Sequence, residues 1–152
     1  MSDLRDLYQQ LIIDHSRNPR NFRESNHANH IKEGYNPLCG DKITLYVDEE
    51  HGLIKDICFR GVGCAISTAS ASLMTEALKG KTVEEALQIF QDFQRLVTES
   101  DYDKLEEIKS RLGKLAALAG VVEFPMRVKC ATLAWHTLKA ALTNDQEKVT
   151  TE

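Results

Sequence analysis

The sequence predicts an α+β fold in which helices pack against a small three-stranded antiparallel sheet. Hydrophobic residues recur at three- and four-residue steps over residues 4–15, which is typical of an amphipathic helix. Three segments between residues 31 and 60 then resemble strands, and their short connections favour antiparallel pairing. From residue 64 onward the pattern is helical again, so the helices must cover the sheet.

The predicted elements follow one another without an internal repeat or a linker. After the first helix, which Pro19 ends, come a polar connection over 18–29, strands over 31–35, 43–47 and 53–60, and helices over 64–80, 82–98, 101–120 and 125–143. Thr82 and Glu85 form a capping-box pattern, and Pro125 suits a first helical position. We expect one domain spanning residues 1–152, with residues 144–152 as a frayed tail.

Composition limits the classes of function. A net charge of −4 gives no reason to expect a nucleic-acid partner. The longest apolar run, residues 115–122, is too short to cross a membrane, and the N-terminus lacks signal-peptide character. We therefore expect a cytoplasmic protein without a membrane partner. In that reducing compartment four cysteines indicate metal or redox chemistry rather than disulfides.

Cys64 stands where a strand gives way to a helix. Gly61 and Gly63 allow a tight turn before it, and small, helix-compatible residues follow. Unpaired N–H groups and the positive end of the helix dipole favour a thiolate at such a position. Cys64 is therefore a candidate nucleophile or metal ligand, with a buried small residue as the alternative.

Three further residues extend this candidate to a metal site. Cys39 and Asp41 stand two residues apart in the loop between the first two strands, and Cys130 lies in the last helix. With Cys64, three thiolates and one carboxylate complete the tetrahedron that Zn²⁺ prefers. Such a site carries a net charge of −2 and should attract a cation.

Arg127 is the predicted cation, because it precedes Cys130 by three residues and shares its helix face. Lys129 is interpreted as a solvated residue of the same helix. The fourth cysteine, Cys58, falls on the polar side of the third strand and is interpreted as a bystander. The five histidines show no ligand-like pairing.

Four ordered motifs carry a resemblance to a known family. They are residues 14–21 (DHSRNPRN), 36–41 (NPLCGD), 61–67 (GVGCAIS) and 129–133 (KCATL). Together they resemble the SufU-type zinc-dependent sulfurtransferases of the IscU/NifU-like iron–sulfur cluster assembly superfamily, over nearly the whole chain. Two departures from the IscU-type scaffolds favour the SUF-system branch. Lys129 replaces the histidine before the third scaffold cysteine, and the segment between Cys64 and Cys130 is longer.

The resemblance implies a zinc ion bound through Cys39, Asp41, Cys64 and Cys130. It implies a pyridoxal-phosphate-dependent cysteine desulfurase of the SufS type as partner, with Cys39 taking up the sulfur as a persulfide. A histidine of the desulfurase would replace Cys39 on the metal. A downstream iron–sulfur scaffold or carrier would receive the sulfur. Our hypothesis for Arg127 is that it pairs with Asp41 or with the displaced thiolate.

Two other functions stay open at the level of the sequence. The same cysteines could assemble a transient [2Fe–2S] cluster, although Lys129 in place of a histidine ligand counts against a scaffold. The protein could also be a non-catalytic binding module stabilised by zinc, because a four-coordinate ligand set is typical of structural sites. Whether the protein is an enzyme is therefore open, and the resemblance favours a sulfurtransferase that acts as second substrate of the desulfurase.

Overall fold

The structure is a computed structural model that describes residues 3–144 and 149–151. Its elements confirm the α+β class. They are α1 (Asp3–Arg17), β1 (His30–Asn36), β2 (Asp41–Glu50), β3 (Leu53–Val62), α2 (Ala65–Leu78), α3 (Val83–Thr98), α4 (Tyr102–Leu112), a 3₁₀ segment (Gly113–Glu123), α5 (Pro125–Leu142) and β4 (Val149–Thr150). Within the described ranges, none of the helices has the length and apolarity that crossing a membrane requires.

The sheet has the strand order β3-β2-β1-β4, one strand more than the sequence predicts. β1, β2 and β3 pair antiparallel, whereas β4 joins β1 in parallel and makes the sheet mixed. β4 lies in the tail that was expected to fray, and Thr151 N donates to Tyr35 O over 2.9 Å. The unpaired backbone groups along the edge of β1 explain this pairing. Residues 145–148 and 152 of that tail lie outside the described residues.

The core lies between one face of the sheet and the helices. Alternate residues of β2 (Ile43, Leu45 and Val47) are buried, as a strand with one covered face requires. α5 packs across β1 and β2 and also contacts α2 and α3. Its Trp135 is fully buried and stacks on Phe93 of α3 with ring centroids 4.5 Å apart. α5 is therefore held in place from several sides.

The segment over 101–120 differs from the single helix that the sequence predicts. α4 ends at Leu112, and the chain continues as the 3₁₀ segment. Gly113 has a φ of 56° and a ψ of −126°, a combination outside the helical regions that glycine adopts more easily than other residues, so the α-helix ends here. The Ala/Leu-rich run beyond it still buries most of its side chains.

Candidate metal centre

The β1–β2 hairpin carries the first two predicted ligands. Asn36 and Asp41 face each other in the last pair of the hairpin, and residues 37–40 form the loop between them. Cys39 N lies 3.3 Å from Asn36 O, and Gly40 has a left-handed φ of 70° that permits the return. As a result Cys39 is exposed at the tip of the loop, while Asp41 is fully buried at its base.

The Asp41 carboxylate connects the hairpin to the start of α2. Its Oδ1 accepts the backbone N–H of Cys64 over 2.8 Å, and its Oδ2 accepts the Asn36 amide over 3.2 Å. Gly63 makes this approach possible, because an added Cβ would lie only 2.7 Å from Oδ1. Both carboxylate oxygens are thus fixed in direction.

Cys64 is the N-cap of α2 rather than a residue of its first turn. Its Sγ accepts the backbone N–H of Ser67 over 3.4 Å, the bond that Ser, Thr, Asp or Asn usually makes at this position. The same sulfur lies 4.0 Å from Asp41 Oδ2. The sulfur therefore faces both the helix N-terminus and the buried carboxylate.

Cys130 reaches the same point from α5. Its Sγ lies 3.4 Å from Sγ of Cys39 and 3.5 Å from Nδ2 of Asn36. Burial, followed by hydrogen bonds with Cys39, Asp41 and Cys64, raises the pKa of the Cys130 thiol. A cation bound at this point would favour the thiolate form that a metal ligand needs.

The ligand atoms of Cys39, Asp41 and Cys130 all lie within 4.8 Å of one another, a group that could hold a metal ion. Two sulfurs bound to one tetrahedral zinc at the usual Zn–S length lie about 3.8 Å apart, close to the 3.4 Å separation of Cys39 and Cys130. The fourth predicted ligand, Cys64, is not part of this group, although its sulfur lies 4.0 Å from Asp41 Oδ2. Soft sulfur donors with one carboxylate fit a zinc ion.

Arg127 lies apart from the position that its predicted pairing with Asp41 requires. Its side chain is exposed and its guanidinium lies over the Phe124 ring, 4.8 Å from the centroid. Within the described ranges, Asp41 takes its hydrogen bonds from Asn36 and Cys64, and none from Arg127. Pairing of Arg127 with a displaced thiolate stays a prediction.

Asn36 is the residue of this centre that sequence reasoning missed. It belongs to the NPLCGD motif and reads as a turn residue before Pro37, yet its side chain is fully buried. Strand alternation could have indicated its burial, because Asn36 follows Gly34 by two residues on the inward face of β1. A polar residue on a buried face needs hydrogen-bond partners, and here they are two predicted metal ligands.

The structure keeps Cys58 away from this cluster. Its sulfur is buried on β3 beneath Arg23, whose Nη1 lies 3.4 Å away, and burial raises the pKa of the thiol. Arg23 is itself held by both carboxylate oxygens of Asp56, at 2.8 Å and 2.9 Å.

Among the histidines, His15 bonds the Ser72 hydroxyl at 2.7 Å in the interface of α1 and α2.

Comparison with known proteins gives one family. The model of the NifU-like N-terminal domain matches residues 7–131. A zinc-dependent sulfurtransferase SufU from Bacillus subtilis (strain 168) is 40% identical over 145 residues, covering 95% of each chain. An iron–sulfur cluster assembly scaffold protein IscU from Streptococcus pyogenes serotype M1 is 42% identical, covering 93% of this chain and 86% of the relative.

A solved structure supports the same grouping. It is a protein from Fervidobacterium islandicum AW-1 assigned as an iron–sulfur cluster assembly scaffold for the SUF system. The TM-score is 0.79 at 36% identity, with 88% of this chain and 94% of the other covered. Both the family model and these relatives span most of the chain, including residues 39, 41, 64 and 130. The chain therefore belongs to the family of NifU-like N-terminal domains.

Proposed function

We propose that this protein is a sulfur acceptor in iron–sulfur cluster biogenesis. In this proposal Cys39 takes persulfide sulfur from a cysteine desulfurase of the SufS type, at a zinc site formed with Asp41, Cys64 and Cys130. The similarity to a protein named as a zinc-dependent sulfurtransferase supports it. The observation that carries it is that Cys39 is exposed, whereas the other side chains of the cluster are buried or half-buried.

Cys39 is also held by fewer hydrogen bonds than its neighbours in the cluster. Asp41 is fixed through both carboxylate oxygens, and Cys64 is fixed as the cap of α2. Cys39 sits in a four-residue loop, and within the described part of the chain its sulfur makes a side-chain hydrogen bond only with that of Cys130. We therefore assign Cys39 as the ligand that can leave while the other three stay.

The transfer itself needs only the chemistry of thiols. A bound zinc ion would keep Cys39 deprotonated and shield it until the donor arrives. Once detached, the Cys39 thiolate attacks the terminal sulfur of the desulfurase persulfide. A new S–S bond forms on Cys39 as the donor S–S bond breaks, and the electron pair leaves on the donor cysteine as a thiolate. No oxidant or reductant is consumed.

Exposed apolar side chains support a protein as the sulfur donor. They flank the segments that carry the predicted ligands: Leu38 precedes Cys39, Val62 lies just before Gly63, and Phe124 and Met126 lie at the start of α5. Val62 is 70% exposed and Leu38 is 58% exposed. Apolar residues gathered beside a reactive group are typical of a surface that another protein covers.

The direct test of this proposal is to find the sulfur on Cys39. The zinc-loaded protein is incubated with the desulfurase and cysteine, and peptides are then examined by mass spectrometry without reductant. We expect the mass of one added sulfur atom on the peptide that contains Cys39. Cys58→Ala serves as the matched control and keeps the label, while Cys39→Ala removes it. Sulfur found only on another cysteine would overturn the assignment.

Assembly of a transient [2Fe–2S] cluster is the second candidate function, favoured by the similarity to a protein named as a scaffold. The same three cysteines and Asp41 would serve as ligands in that case. Anaerobic incubation with iron and sulfide separates the two functions. A stable, transferable cluster on the protein would favour the scaffold function. Failure to form a cluster, or to transfer one that forms, would favour the sulfur-acceptor function.

A further inference from the structure

One buried amide contacts two of the predicted ligands at once. Asn36 is fully buried, and its Nδ2 lies 3.2 Å from Oδ2 of Asp41 and 3.5 Å from Sγ of Cys130. An amide nitrogen carries two N–H donors, which matches the number of acceptors present. The hairpin and α5 are therefore connected at the candidate metal centre through a single side chain.

The other end of the amide shows which contacts set its orientation. Within the described part of the chain, Asn36 Oδ1 is buried and has no hydrogen-bond partner. A buried carbonyl without a donor is costly, so a native protein keeps one for a reason. Turning the amide over would place Oδ1 against a carboxylate oxygen and a sulfur. The two contacts through Nδ2 therefore determine the orientation of the Asn36 amide.

We propose that Asn36 is a positioning residue that keeps Asp41 and Cys130 in place as ligands while Cys39 is detached. This inference rests on the proposed function. When Cys39 leaves, Cys64 is still held as the cap of α2, whereas Cys130 loses the sulfur that lies 3.4 Å from its own. Asn36 still bonds both Cys130 and the Asp41 carboxylate, so it connects two of the three remaining ligands. Hydrogen bonds to metal ligands from such residues change metal affinity about 10- to 100-fold.

The test measures zinc affinity in two backgrounds by competition with a chromophoric chelator. Asn36→Ala is compared in the otherwise unchanged protein and in Cys39→Ala, which mimics the detached state. We expect the loss of affinity from Asn36→Ala to be larger in the Cys39→Ala background, within about 10- to 100-fold. An equal or smaller loss in that background would overturn the inference, because Asn36 would then act independently of Cys39.

Two further variants separate positioning from simple packing. Asn29→Ala is the matched control, because Asn29 also makes two hydrogen bonds, to the backbone of Glu49 at the far end of the same hairpin. It should leave zinc affinity unchanged. Asn36→Leu keeps a similar volume without charge but lacks both N–H donors, so it should lose affinity as Asn36→Ala does. Unchanged affinity in Asn36→Leu would mean that Asn36 only fills space and would overturn the inference.

A spectroscopic readout keeps this test independent of sulfur transfer. With Co²⁺ in place of zinc, the sulfur-to-metal absorption of Cys39→Ala should weaken or shift when Asn36→Ala is added. An unchanged spectrum would contradict the inference. None of these measurements contains a desulfurase. An absent persulfide on Cys39 would therefore contradict the proposed function. The effect of Asn36 on metal binding would be tested separately by the measurements above.

Discussion

Position 63 shows how closely the backbone approaches the candidate ligands. A Cβ on Gly63 would lie 2.7 Å from Oδ1 of Asp41 and 3.2 Å from its Cγ. Gly63→Ala should therefore push the carboxylate away, lower zinc affinity and destabilise the protein by about 1–3 kcal/mol. Chelator competition and urea unfolding measure the two effects. Gly120→Ala is the control, since no neighbouring atom lies within 4 Å of its added Cβ. Equal effects of the two variants would contradict this account.

Arg127 is the second residue with a role that a variant can test. It is exposed and lies over Phe124, so removing its charge leaves the buried contacts of Asp41 intact. If its guanidinium pairs with the displaced Cys39 thiolate, Arg127→Ala should slow sulfur uptake several-fold without loss of zinc. Initial rates of persulfide formation, with zinc content measured alongside, check this. An unchanged rate would remove Arg127 from the mechanism.

At the scale of elements, the start of α2 combines helix capping with a predicted ligand. Cys64 Sγ accepts the Ser67 N–H, and a serine hydroxyl can make the same bond. In metal-free protein, Cys64→Ser should therefore be more stable than Cys64→Ala by about 1 kcal/mol. Both variants should bind zinc more weakly, because each lacks the thiolate. Urea unfolding after chelation compares the two. Equal stabilities would show that Cys64 does not cap the helix.

At the scale of the whole molecule, two histidines couple folding to pH. Burial lowers the pKa of His15 and the charge of Arg20 lowers it further, against smaller opposing effects of Glu76 and Asp14. Burial also lowers the pKa of His136 in α5, with a smaller effect of Lys139. As pH falls through the ordinary histidine pKa of about 6.5, the unfolded chain therefore takes up protons before the folded one does.

The free energy of unfolding should consequently decrease as pH is lowered from about 7.5 to about 5.5. Above about pH 7.5 these two histidines should no longer change the free energy of unfolding. Urea unfolding of the metal-free protein measures this, because zinc ligands add a pH dependence of their own. His15→Asn keeps an amide beside Ser72 and removes one titrating group, so its slope should be smaller. A slope identical to that of the unchanged protein would exclude His15 as a contributor.

The sequence predicts those parts of the fold that bury a hydrophobic stripe or face. The alternation of β2 is the clearest example, whereas the apolar stripe of α1 is half-buried and leaves Leu7 exposed; the predicted bounds of both elements lie within a few residues of the structure. β4 is two residues long, and so short a strand has no detectable period. Gly113 could have indicated the break, but an isolated glycine is also tolerated inside helices, so its backbone angle could not be predicted from the sequence.

For the candidate site, the residues were predicted from the chemistry of their side chains, and the tertiary structure brings several of them together. Cysteines are few and their donor character is distinctive, so Cys39 and Cys130 could be paired across a separation of 91 positions in the chain. Asn36 could not be selected in this way, because an asparagine before a proline is typical of a turn. The prediction of Arg127 rests on the negative charge of the proposed site and on helix periodicity, and neither gives the direction of a long side chain.

The most direct measurement is desulfurase turnover, followed as alanine release, with zinc content determined for each protein. The intact zinc-loaded protein should stimulate turnover strongly, Cys58→Ala should match it, and Cys39→Ala should not stimulate. Asp41→Ala should lose both zinc and stimulation, because its carboxylate is the buried centre of the cluster. Stimulation that survives Cys39→Ala would contradict the account and leave an activator or a zinc-stabilised binding module.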